Sequence, residues 1–337
     1  MSSVASPRWF PHALDLAGDR LLVAEKSEQD YRDAAFLDER SLNPARAQHW
    51  IPWAAAAGAV PAGARRDLHY IFHIGHAGST LVSRLLGELP EVLALREPLV
   101  LRTLAEAPAA IPERVGTLTA LLSRTFNPRQ RAMAKATSFV SEIAAELVPT
   151  GSKALLLYTG PERYVANIFA GENSRRVAAI SAAGRLARLL GRSPGASWEA
   201  RSEGETIALA WAAEMTSLVQ ASERLPAGAA LFMDFDAFLA APAESLLRLA
   251  RFFELPLDGE GAERLARHPL MSRYSKAVEH DFSAARREEL LREAGTLHGP
   301  EIARARAWLD AAAARDGYLT RALEIAASTG GAAAANP

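Results

Sequence analysis

The chain has 337 residues, with 38 Lys+Arg against 39 Asp+Glu and a formal net charge of −1. That balance argues against a surface that grips nucleic acid broadly, while leaving room for a local anion pocket. Cysteine is absent, which excludes disulfides, thiolate metal sites and cysteine catalysis and fits a reducing compartment.

Hydrophobic residues are 49% and charged residues 23%, an ordinary globular composition. Length alone suggests about two domains at ~100–200 residues each, or one large α/β body with an attached arm. The opening MSSVASPRWFPHALDL lacks the ~7–15-residue apolar run of a signal peptide. No stretch reaches the ~18 consecutive apolar residues of a membrane span. A cytoplasmic protein without a membrane span is therefore expected.

Residues 1–65 read as an N-terminal extension that packs on the main body. Short mixed stretches lead into the Ala/Gly/Pro-rich run IPWAAAAGAVPAGARR, which reads as a connector. Trp9, Phe10, Trp50 and Trp53 are its expected apolar anchors. From residue 66 to 328, short apolar runs alternate with helical patterns. The predicted strands are HYIFHI (69–74), VLALR (92–96), RAMAKAT (131–137), KALLLYT (153–159) and ALFMDF (230–235). Helical periodicity marks TLVSRLLGEL, SFVSEIAAELV and residues 207–224 between them, and AESLLRLARFFEL, ARREELLREA and EIARARAWLDAAAA after them. Strand–helix–strand alternation of this kind predicts an α/β fold, a parallel sheet flanked by helices with its ligand at the carboxyl ends of the strands. The part beyond the fifth strand reads as helical, interrupted by the polar loop MSRYSKAVEHDFSAA. Residues 329–337 read as a flexible tail.

The sharpest local feature is HYIFHIGHAGSTLVSRLL: a strand, a loop with two glycines, and an amphipathic helix opening at Ser79 or Thr80. Gly75, His76, Ala77, Gly78, Ser79 and Thr80 can present backbone N–H and hydroxyl donors to one phosphate-like group at a helix N-terminus. The other reading is an N-capped helix after a glycine turn. A nucleotide triphosphatase loop would end in Gly-Lys-Ser/Thr; here the tripeptide is Gly78, Ser79 and Thr80. Without that lysine, a Mg-nucleotide site using Asp234 or Asp236 is disfavoured.

HAGST at 76–80 resembles the 5′-phosphosulfate loop, (K/R)-S-G-(T/S)-(T/S), of the sulfotransferases that use 3′-phosphoadenosine 5′-phosphosulfate (PAPS). Four further segments follow in the order of that family. REPL at 96–99 resembles the Glu-Pro motif of carbohydrate-type members, and KATSF at 135–139 the Lys-Thr-His segment of cytosolic members. LYTGPERYVANIF is similar to the l-R-x-P-x-D-x-x-x-S pattern that holds the 3′-phosphate, and FMDFDAFLAAP to v-r-Y-E-d-L-l-x-d-P. The resemblance spans residues 66–260 and implies a P-loop, sulfotransferase-like fold. It also implies PAPS as donor and 3′,5′-adenosine bisphosphate as product; the transferred group has less charge than a phosphoryl group, and the sequence shows no compact His/Asp/Glu set, so no metal is expected.

Three positions depart from the pattern. His76 replaces a lysine, Thr159 stands in the arginine slot of the 3′-phosphate site, and Asn167 in its serine slot. The missing charge must then come from elsewhere, or the 3′-phosphate is bound weakly. Arg163, Arg175 and Arg176 are near in sequence, and Arg273 and Lys276 can reach over from the polar loop.

For the chemistry, the resemblance to carbohydrate-type members assigns the base to Glu97. Its alternative is an ion pair with Arg96 or Arg102. The histidine slot of the cytosolic members holds Thr137, which cannot act as a base near neutral pH. Lys135 is placed to stabilise charge on the sulfuryl or bridging oxygens, or else extends from a strand end into water. His76 is placed to donate to the leaving phosphate. His280 is a second base candidate or a surface residue, and Tyr274 either stacks on adenine or packs. The acceptor is a hydroxyl or amine on a small molecule, glycan or peptide. No nucleic-acid partner is expected, and a homo-oligomer is compatible with the sequence. Competing functions are a sulfotransferase-fold protein that binds a nucleotide or partner without transfer, and a P-loop kinase of unusual sequence.

Overall fold

Five of the predicted strands align in one parallel sheet because their side chains are apolar on both faces. The computed structural model describes residues 6–195, 197–272 and 284–333. An N-terminal antiparallel sheet comes first, built from β1 (Trp9–Asp15), β2 (Arg20–Glu25) and β3 (Gln48–Pro52), in the order β1-β2-β3. The main sheet contains β4 (His69–His73), β5 (Val92–Arg96), β6 (Arg131–Lys135), β7 (Ala154–Tyr158) and β8 (Ala230–Asp234), in the order β5-β6-β4-β7-β8. Every residue of β4, β5 and β7 is buried, as a parallel sheet covered on both faces requires.

Alternation within the strands sorts the core into two layers. Ile71, Met133, Leu155, Leu157 and Met233 pack with the helices Ser79–Leu86 and Pro242–Phe253. Tyr70, Phe72, Ala134, Leu156 and Tyr158 face the opposite way, toward the helix Glu203–Arg224. That helix starts with a capping box, Ser202 and Glu205, which satisfies two orphan N–H donors at once. Its Trp211 is fully buried and donates from Nε1 to the Thr159 carbonyl at 2.9 Å. The carboxyl end of β7 is thereby fixed from below.

Where the sequence shows only an extension of short mixed stretches, the arm holds a three-stranded sheet. β3 is mostly exposed and β1 carries a bulge between Pro11 and Ala13, so neither shows the clean two-residue alternation of a half-buried strand. Phe10 and Trp53 are buried anchors as expected. Trp50 is not: it is 42% exposed, with the Arg20 guanidinium 4.8 Å from its ring. Two arginines, Arg96 buried and Arg124 half-buried, tie this arm down. Arg96 donates to the carbonyls of Tyr31 (2.5 Å), Arg32 (2.8 Å) and Ala34 (2.7 Å). Arg124 donates to those of Ser6 (2.9 Å) and Trp9 (2.7 Å).

Toward the C-terminus, ARREELLREA and EIARARAWLDAAAA join in one helix, Ala284–Ala313, kinked at His298 next to Pro300. SFVSEIAAELV forms a 3₁₀ segment, Ser138–Ile143, and one α-helical turn, Ala144–Leu147. The last helix runs from Gly317 to Ala333. Among the described residues no helix is long and apolar enough to cross a membrane.

Candidate active site

All five β-strand ends that matter here open on the same edge of the sheet. At the centre, β4 leads through residues 74–78 into the helix Ser79–Leu86. Gly75, His76 and Gly78 have φ of 77°, 51° and 66°, left-handed values that curl the backbone into an anion nest ahead of a helix N-terminus. The N–H groups of Ala77, Gly78, Ser79 and Thr80 meet no acceptor among the described residues. The buried Thr80 hydroxyl also has no partner among them. Glycine at 78 is forced twice over, because a Cβ there would lie 2.0 Å from the Phe235 ring. Asn167, on the helix Pro161–Phe169 after β7, donates from Nδ2 to the His76 carbonyl at 3.2 Å. The His76 ring meets Tyr164 edge-on, 6.4 Å between centroids. Asn167 thus shapes the loop directly.

Beside the loop, the register pairs Arg96 of β5 with Lys135 of β6, so the next residues converge. Glu97 has φ 52° and donates its N–H to the Lys135 carbonyl at 2.6 Å. The Lys135 ammonium, fully buried, donates to Glu97 Oε1, while Thr137 Oγ1 lies 3.4 Å from Oε2. The Glu97 side chain keeps 19% exposure. Its ion pair is therefore with Lys135, and neither of the arginines first considered serves. Arg96 is committed to the arm, and Arg102 pairs with Glu106 at 3.0 Å. Lys135 likewise does not extend into water.

The third cluster lies at the ends of β7 and β8. Thr159 is buried and donates its hydroxyl to Asp236 Oδ2. Asp236 Oδ1 also pairs with Arg163 Nε at 3.0 Å and accepts from Arg287 Nη1. Arg163 reaches Glu288 as well. Asp234 caps the short helix Phe235–Ala240, accepting from the N–H of Asp236 at 2.6 Å. Burial, reinforced by the Asp236 carboxylate, raises its pKa. A cavity of about 450 Å³ opens here, lined by Arg163, Asp234, Asp236 and Arg306 among others.

Nothing in the sequence pattern singles out Arg287. It is one of two adjacent arginines in ARREELLREA, yet it is 5% exposed and stands 5.5 Å from the Phe235 ring. Arg175 and Arg176 are engaged by Glu203 and Asn173. Arg273, Tyr274, Lys276 and His280 lie outside the described residues. Among the described residues, no three His, Asp or Glu side chains group closely enough to hold a metal.

No protein-family model matches the chain, and no curated protein matches it significantly. Among solved structures it is similar to a sulfotransferase domain from the curacin biosynthetic pathway, at 13% identity and a TM-score of 0.42 over 72% of this chain and 96% of that one. Mouse sulfotransferase SULT7A1 complexed with PAP is similar at 10% identity and 0.43, over 80% and 93%. Sulfotransferase STF9 from Mycobacterium avium is similar at 13% and 0.37, over 68% and 76%. At these identities and TM-scores the likenesses carry no argument about activity.

Proposed function

We propose that the chain is a sulfotransferase that moves a sulfuryl group from PAPS to a hydroxyl or amine of an acceptor, with Glu97 as base. The observation that carries this reading is the meeting of Glu97, Lys135 and Thr137 beside a nest of unspent N–H donors. The donor's 5′ end suits the residues present: the N–H groups of Ala77, Gly78, Ser79 and Thr80 and the Thr80 hydroxyl match the oxygens of a phosphosulfate. The donor supplies an activated sulfur whose leaving group is a phosphate.

Glu97 takes the proton of the attacking hydroxyl as the new oxygen–sulfur bond forms and the sulfur–oxygen bond to the phosphate breaks. Lys135, held against Glu97 before the reaction, can turn its charge toward the transferred oxygens. The loop donors and His76 face the leaving phosphate. Positioning and fixed dipoles of this kind carry most of the rate in related group transfers.

One observation favours a second reading, nucleotide or partner binding without transfer. At the 3′ end, Arg163 and Arg287 are held by Asp236 and Glu288, and must exchange partners to meet a phosphate. Thermal unfolding with added ligand tests the main reading. Ligand at about 100 times its Kd stabilises by about 2.7 kcal/mol, so 3′,5′-adenosine bisphosphate should raise Tm clearly and Mg-ATP hardly at all. The reverse pattern defeats the proposal. A shift with the bisphosphate but no transfer of labelled sulfate to any acceptor in a cell extract selects the second reading.

A further inference from the structure

The N-terminal arm touches the candidate site at one well-defined point. Leu37 donates its N–H to the Arg96 carbonyl at 2.6 Å and accepts from the Leu99 N–H at 3.3 Å. One arm residue therefore brackets Glu97 and Pro98 from both sides. The preceding residue, Phe36, holds its ring centroid 5.7 Å from Lys135 Nζ, and the Arg40 guanidinium lies 3.9 Å from that ring. Phe36 and Arg40 also line a cavity of about 610 Å³ formed by residues 25–46. Backbone hydrogen bonds thus set this cavity in register with the Glu97–Lys135 pair.

Its lining has balanced charge, with Glu25, Asp30 and Asp33 against Lys26, Arg40 and Arg46. Much of that charge is already spent. Arg46 pairs with Asp30 at 3.1 Å, and Arg40 is held by Asp38. Three groups keep capacity. Lys26 is 4% exposed and donates once, to the Ser41 carbonyl at 2.7 Å, although an ammonium has three donors. The Glu25 carboxylate has no hydrogen bond or ion pair among the described residues. Asp33 accepts one bond, from Gln29 Nε2 at 2.8 Å.

Spare donors and spare acceptors in one cavity, whose whole lining has zero net charge, suit a ligand whose groups both donate and accept. Hydroxyl groups do so. A ligand carboxylate would confront Glu25 and Asp33, and a ligand ammonium would confront Lys26. We infer that this arm cavity is the acceptor subsite, taking an uncharged molecule with several hydroxyl groups and delivering one of them past Phe36 to Glu97. The inference rests on the transfer reading above, with the same balance: the hydroxyl proton goes to Glu97, and the sulfur changes one oxygen partner for another.

Saturation-transfer NMR with methyl β-glucoside, glucuronate and glucosamine in equimolar mixture tests it, using the wild type and the Glu25→Gln/Asp33→Asn double variant. The glucoside should give the strongest signal and bind about fivefold more weakly to the variant. The thermal shift with 3′,5′-adenosine bisphosphate should be equal in both proteins. Preference for glucuronate or glucosamine, no binding of any probe, or undiminished glucoside binding by the variant overturns the subsite. A bisphosphate shift without glucoside binding overturns the subsite alone. Glucoside binding without a bisphosphate shift overturns the transfer reading instead.

Discussion

Glu97 owes its backbone conformation to its neighbours. A φ of 52° is costly for a residue with a Cβ, about 1–3 kcal/mol, and is held by the N–H bond to Lys135 and the Leu37 bracket. The strain aims a carboxylate at the carboxyl edge of the sheet, where the proposed reaction would need its base. Replacing it, Glu97→Gln, keeps the shape and removes the proposed base. Turnover should fall about 10²–10⁴-fold with bisphosphate binding unchanged, and full turnover would remove Glu97 from the mechanism. Gly78→Ala is a second test at this scale. The added Cβ meets both a left-handed φ and the Phe235 ring, so urea unfolding should report a loss of about 2 kcal/mol or more. The places of Gly78 and Glu97 were legible, one from the strand–loop–helix pattern and the other from the end of a short apolar strand. Arg287 was not, because nothing in an Arg-Arg pair tells which member a distant strand end will bury.

Among the elements, the arm and the sheet differ in how openly the chain declares them. β5 matches its predicted bounds, and the other four strands of the main sheet differ by one or two residues at their ends. Continuous apolar runs bounded by polar turns leave few alternatives. The arm strands are half-exposed and bulged, and their partners are set by tertiary contacts. Chief among these is Arg96, read first as a neighbour of Glu97 and found holding three arm carbonyls. An Arg96→Met variant would orphan all three, each at about 1–3 kcal/mol when buried. Amide exchange in β1 and β2 should then accelerate far more than in β4 and β7. Equal protection in the variant would mean that other contacts dock the arm.

For the molecule as a whole, acid is the predicted weakness. Burial, with Lys26 nearby, lowers the His12 pKa to about 4, against smaller opposing effects of Glu39 and Asp38. Burial and Arg131 lower that of His69 to about 4 as well. The unfolded chain therefore binds more protons than the folded one between about pH 6.5 and 4, and stability falls as pH drops through that window. Each imidazole accounts for about 3 kcal/mol of that fall. Urea midpoints at pH 7 and 5 should differ clearly, and His12→Leu should reduce the difference; an unaltered difference would show that His12 does not drive it.

The strand order has a consequence for how the chain is made. β4, with the glycine loop of residues 74–78 behind it, is the central strand yet the first of its sheet to leave the ribosome. Its neighbours β6 and β7 begin 58 and 81 residues after His73. At about 5–20 residues per second, β4 waits roughly 3–12 s for β6 with both edges unpaired. HYIFH is apolar and aromatic enough to find a wrong partner in that interval, so nascent chains arrested between the two strands are where chaperone dependence should concentrate.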